Sequence, residues 1–317
     1  MLRLIQSLFG TSTDNVCYPE PFLDAALERV VDGTDSWLRA ATNYRKKLRP
    51  SVLKAVQHCA LLADRLAPAI DLHTTSYDSD PRLRAFFISA EHLTATLRAD
   101  RRLRAYRAGH PADDLCALLT MEKREKGIVT TDRIDGVLSS NVPVTTVSFT
   151  GHQLLDLAAT EAETRSLFQQ RAFDHLIGLA LSRLQMASGL RKELERRSTL
   201  LQAKIDLLKR GEWGFNITGR SEELNMGALQ SELEDIETML AGVGSQADYL
   251  DKDLELLVEQ LGRAEATMCF EESTLIMDRT GIKRREPSDN APEIPLQAIR
   301  HSEGITHYLA LLLLPAA

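Results

Sequence analysis

Catalysis or metal binding in this chain would draw on eight histidines, four cysteines and 45 acidic residues. Their spacing therefore sets the first limits on function. His58, His73, His92, His110, His152, His175, His301 and His307 show neither H-x-x-x-H nor H-E-x-x-H spacing, the patterns that set two imidazoles on one helix face around a metal. Cys17, Cys59, Cys116 and Cys269 are far apart and include no C-x-x-C pair. They read as reduced, buried small hydrophobes rather than as a disulfide frame. Carboxylate pairs such as Asp113-Asp114 and Glu271-Glu272 are immediate neighbours, not partners on one helix face, as solvated surface residues are. There is no Walker-type glycine loop, no G-x-G-x-x-G and no G-x-S-x-G. No catalytic residue, cofactor or metal ligand is assigned from these patterns. An enzyme whose site is assembled from distant residues remains one alternative.

Basic residues offer a second kind of chemistry. Arg39, Arg45, Lys46, Lys47, Arg49 and Lys54 have no acidic residue among them, and Arg82 to Arg107 supply seven arginines against Glu91 and Asp100. Arg45, Lys46, Lys47, Arg49, Arg101, Arg102 and Arg104 are candidate phosphate contacts, with Tyr44 and Tyr106 available to stack on bases. A nucleic-acid-binding protein is thus a further alternative. Against it, residues 1–126 hold 19 Lys and Arg against 16 Asp and Glu, no recognition motif is present, and a basic stripe alone gives only non-specific attraction. The same side chains also suit solvated helix faces, or contacts with the acidic segment 221–265.

A third feature is the stretch KRGEWGFNITGRSEELN, which places Trp213, Phe215 and Ile217 among three glycines. Aromatic clusters away from a core mark binding surfaces, and tryptophan is enriched among binding hot spots. The competing reading packs these rings over the ends of the neighbouring helices, with the glycines permitting the turn.

The elements around these residues follow from periodicity. Steps of four and three from Phe173 reach Ile177, Ala180, Leu184, Ala187, Arg191, Leu194, Ser198, Leu201, Ile205 and Leu208. Only Arg191 and Ser198 break the apolar seam. The same steps from Leu229 pass through Leu233, Ile236, Leu240, Val243, Ala247, Leu250, Leu254, Leu257 and Leu261, with Gly242 and Gly244 as a place for a bend. About five heptads in each segment is a coiled-coil signature. Residues 165–210 carry ten basic and four acidic side chains, whereas residues 221–265 carry two and twelve. Opposite charge and a short connection predict an antiparallel hairpin within one chain, an arm of roughly 50 Å at 1.5 Å per residue.

Before the arm, residues 21–121 read as short helices. DPRLRAF, DRRLRAY and the looser DSWLRA begin with an aspartate suited to capping a helix, and Pro50 suits the start of a new one. Strands are predicted around Lys126 to Thr131, in VPVTTVSFTGHQLLDLAA, around Met268 to Phe270 and Leu275 to Met277, and in PEIPLQAIR and HYLALLLLP. Pro292 and Pro295 argue for an edge position for PEIPLQAIR.

These readings combine into a mainly α (α+β) chain. It comprises a helical domain (1–121), a small β-sheet domain in two parts (122–160 and 266–317), and a long antiparallel coiled-coil hairpin between them (161–265, tip at 210–221). The function they favour is a non-enzymatic interaction or scaffold protein that docks a protein partner through Trp213, Phe215 and Ile217. An apolar strand such as LALLLLP, if it lay on an edge, would allow homo-oligomers. The apolar run in MLRLIQSLFGTSTDN is broken by polar residues, and YLALLLLPAA is about half the roughly 20 apolar residues of a membrane span. The cytoplasm is the expected location.

Overall fold

The structure, a computed structural model, describes residues 18–75, 77–110, 113–134, 137–210, 219–243 and 249–316 of an α+β protein. The chain divides into two compact units, one containing Val56–Phe173 and Ala264–Ala317, the other Tyr18–Ala55 and Asp174–Arg263.

The first unit is built on a six-stranded sheet: β1 (Ile70–Asp71), β2 (Leu115–Ile134), β3 (Val137–Ala158), β4 (Met268–Ile276), β5 (Glu293–His301) and β6 (Thr306–Leu314). The order is β3-β2-β6-β5-β4, antiparallel throughout, with the short β1 added in parallel to β6. β2 begins at Leu115, ahead of the change in composition near residue 122. Leu115, Cys116, Ala117, Leu118 and Leu119 are all buried, and a strand covered on both faces lacks the alternation that would reveal it. Beyond Met121 only β3 pairs with β2, and the two continue as a ribbon to Ile134.

LALLLLP lies inside the sheet. β6 pairs with β2 on one side and with β1 and β5 on the other, so it presents no free edge to a second copy, and the expected route to homo-oligomers through this strand is closed. β5 also lies between neighbours, although its ladder to β6 starts only at Gln297. The missing N–H of Pro295 therefore interrupts no bond to β6, which explains how a strand with this proline sits in the interior.

The pairings run in a closed circuit. After β4 the chain turns back so that Thr146 of β3 bridges Ile282, with Val147 N–H donating to Gly281 O at 2.8 Å and Lys283 N–H to Thr145 O at 2.8 Å. Gly281 has φ +81°, and a Cβ there would stand 3.3 Å from the Val147 carbonyl oxygen, so the position calls for glycine twice over. Inside lies one core that includes Leu119, Met121, Phe149, Leu275, Leu296 and Leu312. It is covered by Leu83, Phe86 and Phe87 at α3 (Pro81–Phe86), by Leu93 of α4 (Ala90–Ala99) and by Leu103 of α5 (Arg101–Gly109). The repeated aspartates are caps: Asp80 accepts from Arg82 N–H, Asp100 from Arg102 and Leu103 N–H, and Asp35 from Trp37 N–H.

The second unit is helical. It holds α1 (Glu20–Gly33), a 3-10 turn (Ser36–Ala40), the first part of α2 (Tyr44–Asp64), α6 (Glu161–Arg210) from Asp174 onward, α7 (Gly219–Val243) and α8 (Tyr249–Gly262). α9 (Ala264–Thr267) belongs to the sheet unit. Pro50 does not start a helix; α2 runs through it, giving up one backbone hydrogen bond near its N-terminal end.

Asp278 holds the turn that closes the circuit. Its carboxylate accepts from Thr280 N–H (2.9 Å), Thr280 Oγ1 (2.6 Å), Ile282 N–H (3.1 Å) and Arg284 Nε (2.8 Å). Burial raises its pKa, but the hydrogen bonds from Thr280 and Arg284 outweigh burial and leave it below the ordinary carboxylate value. A carboxylate depressed in the folded state contributes stability above its unfolded pKa and loses it as pH falls through the folded one. Asp278→Asn is therefore expected to lower the melting temperature at pH 7 and to flatten its fall on acidification below about pH 4. Thermal melts of both proteins from pH 7 to pH 3 measure this.

Candidate functional site

The two seams read from the sequence meet in the helical unit. Leu201 and Ile205 of α6 cluster with Leu229 and Ile236 of α7, and Leu194, Met226, Leu233 and Leu240 pack against them. Arg197 of α6 and Glu232 of α7 form an ion pair beside this cluster.

Toward its start, α6 meets other partners. Phe173, Ile177, Ala180 and Leu184 are buried, and Ile177 approaches α1 so closely that a Cβ on Gly33 would lie 2.7 Å from its Cγ2. Arg29 of α1 binds Asp174 in a two-pronged pair, with Nε to Oδ1 at 2.7 Å and Nη2 to Oδ2 at 2.5 Å. On α8, Leu254, Leu257 and Leu261 are inaccessible. The described residues of the second seam lie on α7 and α8; Gly242 is in α7, and Gly244 lies outside the described residues. Glu195, next to the α7 contacts, accepts a hydrogen bond from Tyr249 Oη of α8 at 2.9 Å. One stretch of α6 is therefore shared by α7 and α8.

Arg191, the break in the first seam, is 9% exposed. Its guanidinium carbon lies 3.6 Å from the centroid of the Tyr249 ring, and its nearest carboxylate, Asp253 of α8, is at 3.6 Å. Burial pushes the Asp253 carboxyl pKa up, against the opposing pull of Arg191. Arg191 Nε lacks a hydrogen-bond partner among the described residues. Such a pair adds little stability, but it opposes any register that separates Arg191 from Asp253. The sequence marks Arg191 only as an interruption; Asp253 and Tyr249 carry no signal until the helices are paired.

The expected partner contacts Trp213, Phe215 and Ile217 lie outside the described residues, in 211–218. The candidate phosphate contacts fall on two different units. In the helical unit Arg45 pairs with Glu28 at 2.7 Å, Lys47 with Asp251 at 2.7 Å and Arg49 with Glu20, while Lys46 is exposed. Tyr44 is engaged as well, its hydroxyl donating to Glu28 at 2.9 Å. In the sheet unit Arg102 donates to Leu154 O at 3.4 Å and Arg104 to Ala99 O at 3.3 Å; Arg101 is exposed, and Tyr106 stacks on His110 at 4.7 Å. Most of these cations already have protein partners, and Lys47 bonds to the acidic return helix α8. Among the described residues no group of three or more His, Cys, Asp or Glu is placed to hold a metal ion, and no helix is long and apolar enough to cross a membrane.

Replacing both members of the buried pair with leucine continues the apolar seam. Arg191→Leu/Asp253→Leu is expected to be at least as stable as the wild type, whereas Asp253→Leu alone strands a buried guanidinium and costs about 3 kcal/mol. Urea unfolding of the three proteins provides the comparison. Comparison of the chain with protein-family models, curated proteins and solved structures found no match.

Proposed function

We propose that α6 and its return helices form an antiparallel coiled-coil hairpin, and that the protein acts through this arm as a non-enzymatic interaction or scaffold protein. The observation that carries the reading is the apolar seam of Leu201, Ile205, Leu229 and Ile236 with the Arg197–Glu232 pair beside it. The charge balance of the two segments supports the same pairing, because each helix attracts the other and repels a copy of itself. Their connection, residues 211–218, contains Trp213, Phe215 and Ile217, and in this proposal these side chains contact a protein partner. Met186 and Leu190, one turn apart on α6 and both exposed, add apolar surface to the same helix. The cytoplasm is the proposed setting, supported by Cys116 and Cys269, whose thiols are unoxidised among the described residues.

Trp213→Ala/Phe215→Ala tests the docking role. Once its melting temperature has been matched to that of the wild type, affinity capture from native lysate is expected to lose at least one protein that the wild type retains. Recovery of the same proteins by both would contradict docking through these aromatics.

A further inference from the structure

The sheet unit contains a cavity of about 280 Å³ beside the turn that closes the circuit of pairings. Its floor is apolar: Phe86 and Phe87 from α3 and the residue after it, Val147 and Phe149 of β3, Met277 after β4 and Ile294 of β5. None of these six is more than 6% exposed. Phe86 and Phe149 meet edge to face, with centroids 5.3 Å apart, which stiffens the floor. Ile88, 83% exposed, carries the apolar surface out to the mouth.

The rim is polar and its charges are unbalanced. Asp278 is neutralised by Arg284 and held by Thr280, which leaves Asp289 as the remaining lining carboxylate. The lining also holds two cations, the half-buried Arg84 and the exposed Arg279. Among the described residues neither has an ion pair or a side-chain hydrogen bond. A guanidinium without an acceptor at the edge of an apolar pocket is poorly satisfied, and its fork of donors matches a carboxylate in two-pronged fashion.

Size limits the ligand. The cavity lies at the small end of the range for organic ligands, which is roughly 300–1,000 Å³, and the mouth of a closed sheet is a usual place for such a site. It suits one short apolar body and one anionic head. We propose that this cavity binds a small amphipathic carboxylate, its apolar part on Phe86, Phe87, Phe149 and Met277 and its carboxylate held by Arg84 and Arg279. The site is independent of the helical arm and requires no reaction.

Calorimetric titration of the full chain with octanoate, and with octan-1-ol as the neutral isostere, tests the assignment. Octanoate is expected to saturate a single site and to bind at least tenfold more tightly than octanol. Arg84→Gln/Arg279→Gln should bring octanoate down to the octanol level with little change in melting temperature, since neither side chain makes an ion pair or side-chain hydrogen bond among the described residues. Ile88→Asp at the exposed mouth is a second variant; it leaves both arginines in place, adds a carboxylate beside the expected head group, and should weaken octanoate while sparing octanol. Equal binding of the two ligands by the wild type, wild-type octanoate affinity in either variant, or no saturable binding would overturn the proposal.

Discussion

Burial of one apolar stripe along α6 is the constraint on which the helical half of this protein depends. A helix of 50 residues cannot cover its own seam, and in water it gains little from backbone hydrogen bonding alone. Successive parts of the stripe are covered in turn: Ile177 by α1, the stretch around Arg191 by α8, and Leu201 and Ile205 by α7. Charge then selects among the available partners. An acidic return segment laid on a basic helix is favoured over two basic helices together, and exposed pairs such as Arg197–Glu232 and Lys47–Asp251 act on that choice more than on total stability.

The sheet unit meets a different requirement. Its apolar residues come from strands far apart in sequence, so the interior exists only once β6 lies between β2 and β5 and the turn after β4 has reached β3. That turn depends on a few groups: Asp278 gathers three nearby residues, and Gly281 permits the close approach to Val147. The same closure brings the Phe86 end of α3, β3 and the start of β5 around one cavity.

What the sequence reveals and what it conceals divide along physical lines. Local rules are legible. The seams of α6, α7 and α8 follow from 3.6-residue periodicity, the aspartate caps from their side-chain acceptors, and β3 to β6 from valine-rich or apolar runs bounded by turns. Features set by pairing at a distance are not. The start of β2 is hidden because LCALL is apolar on both faces. The interior place of β6 and the tolerance of Pro295 depend on which strands lie alongside. The seam from Leu229 to Leu261 reads as one run, and only the fold shows that Glu232 and Tyr249 reach Arg197 and Glu195, neighbours on α6. Most of the basic residues that suggest phosphate binding have carboxylates or carbonyls that only the fold supplies, and the cavity draws its lining from four separate stretches, none with a motif of its own.

Amide hydrogen exchange over the full chain tests the central claim most directly. If the seam of α6 is buried against α7, amides in 194–206 and 226–240 should exchange slowly and share one opening free energy, because neither helix can open without exposing the other. Exchange of these segments at the rates of isolated helices, independently of one another, would contradict the pairing and with it the arm.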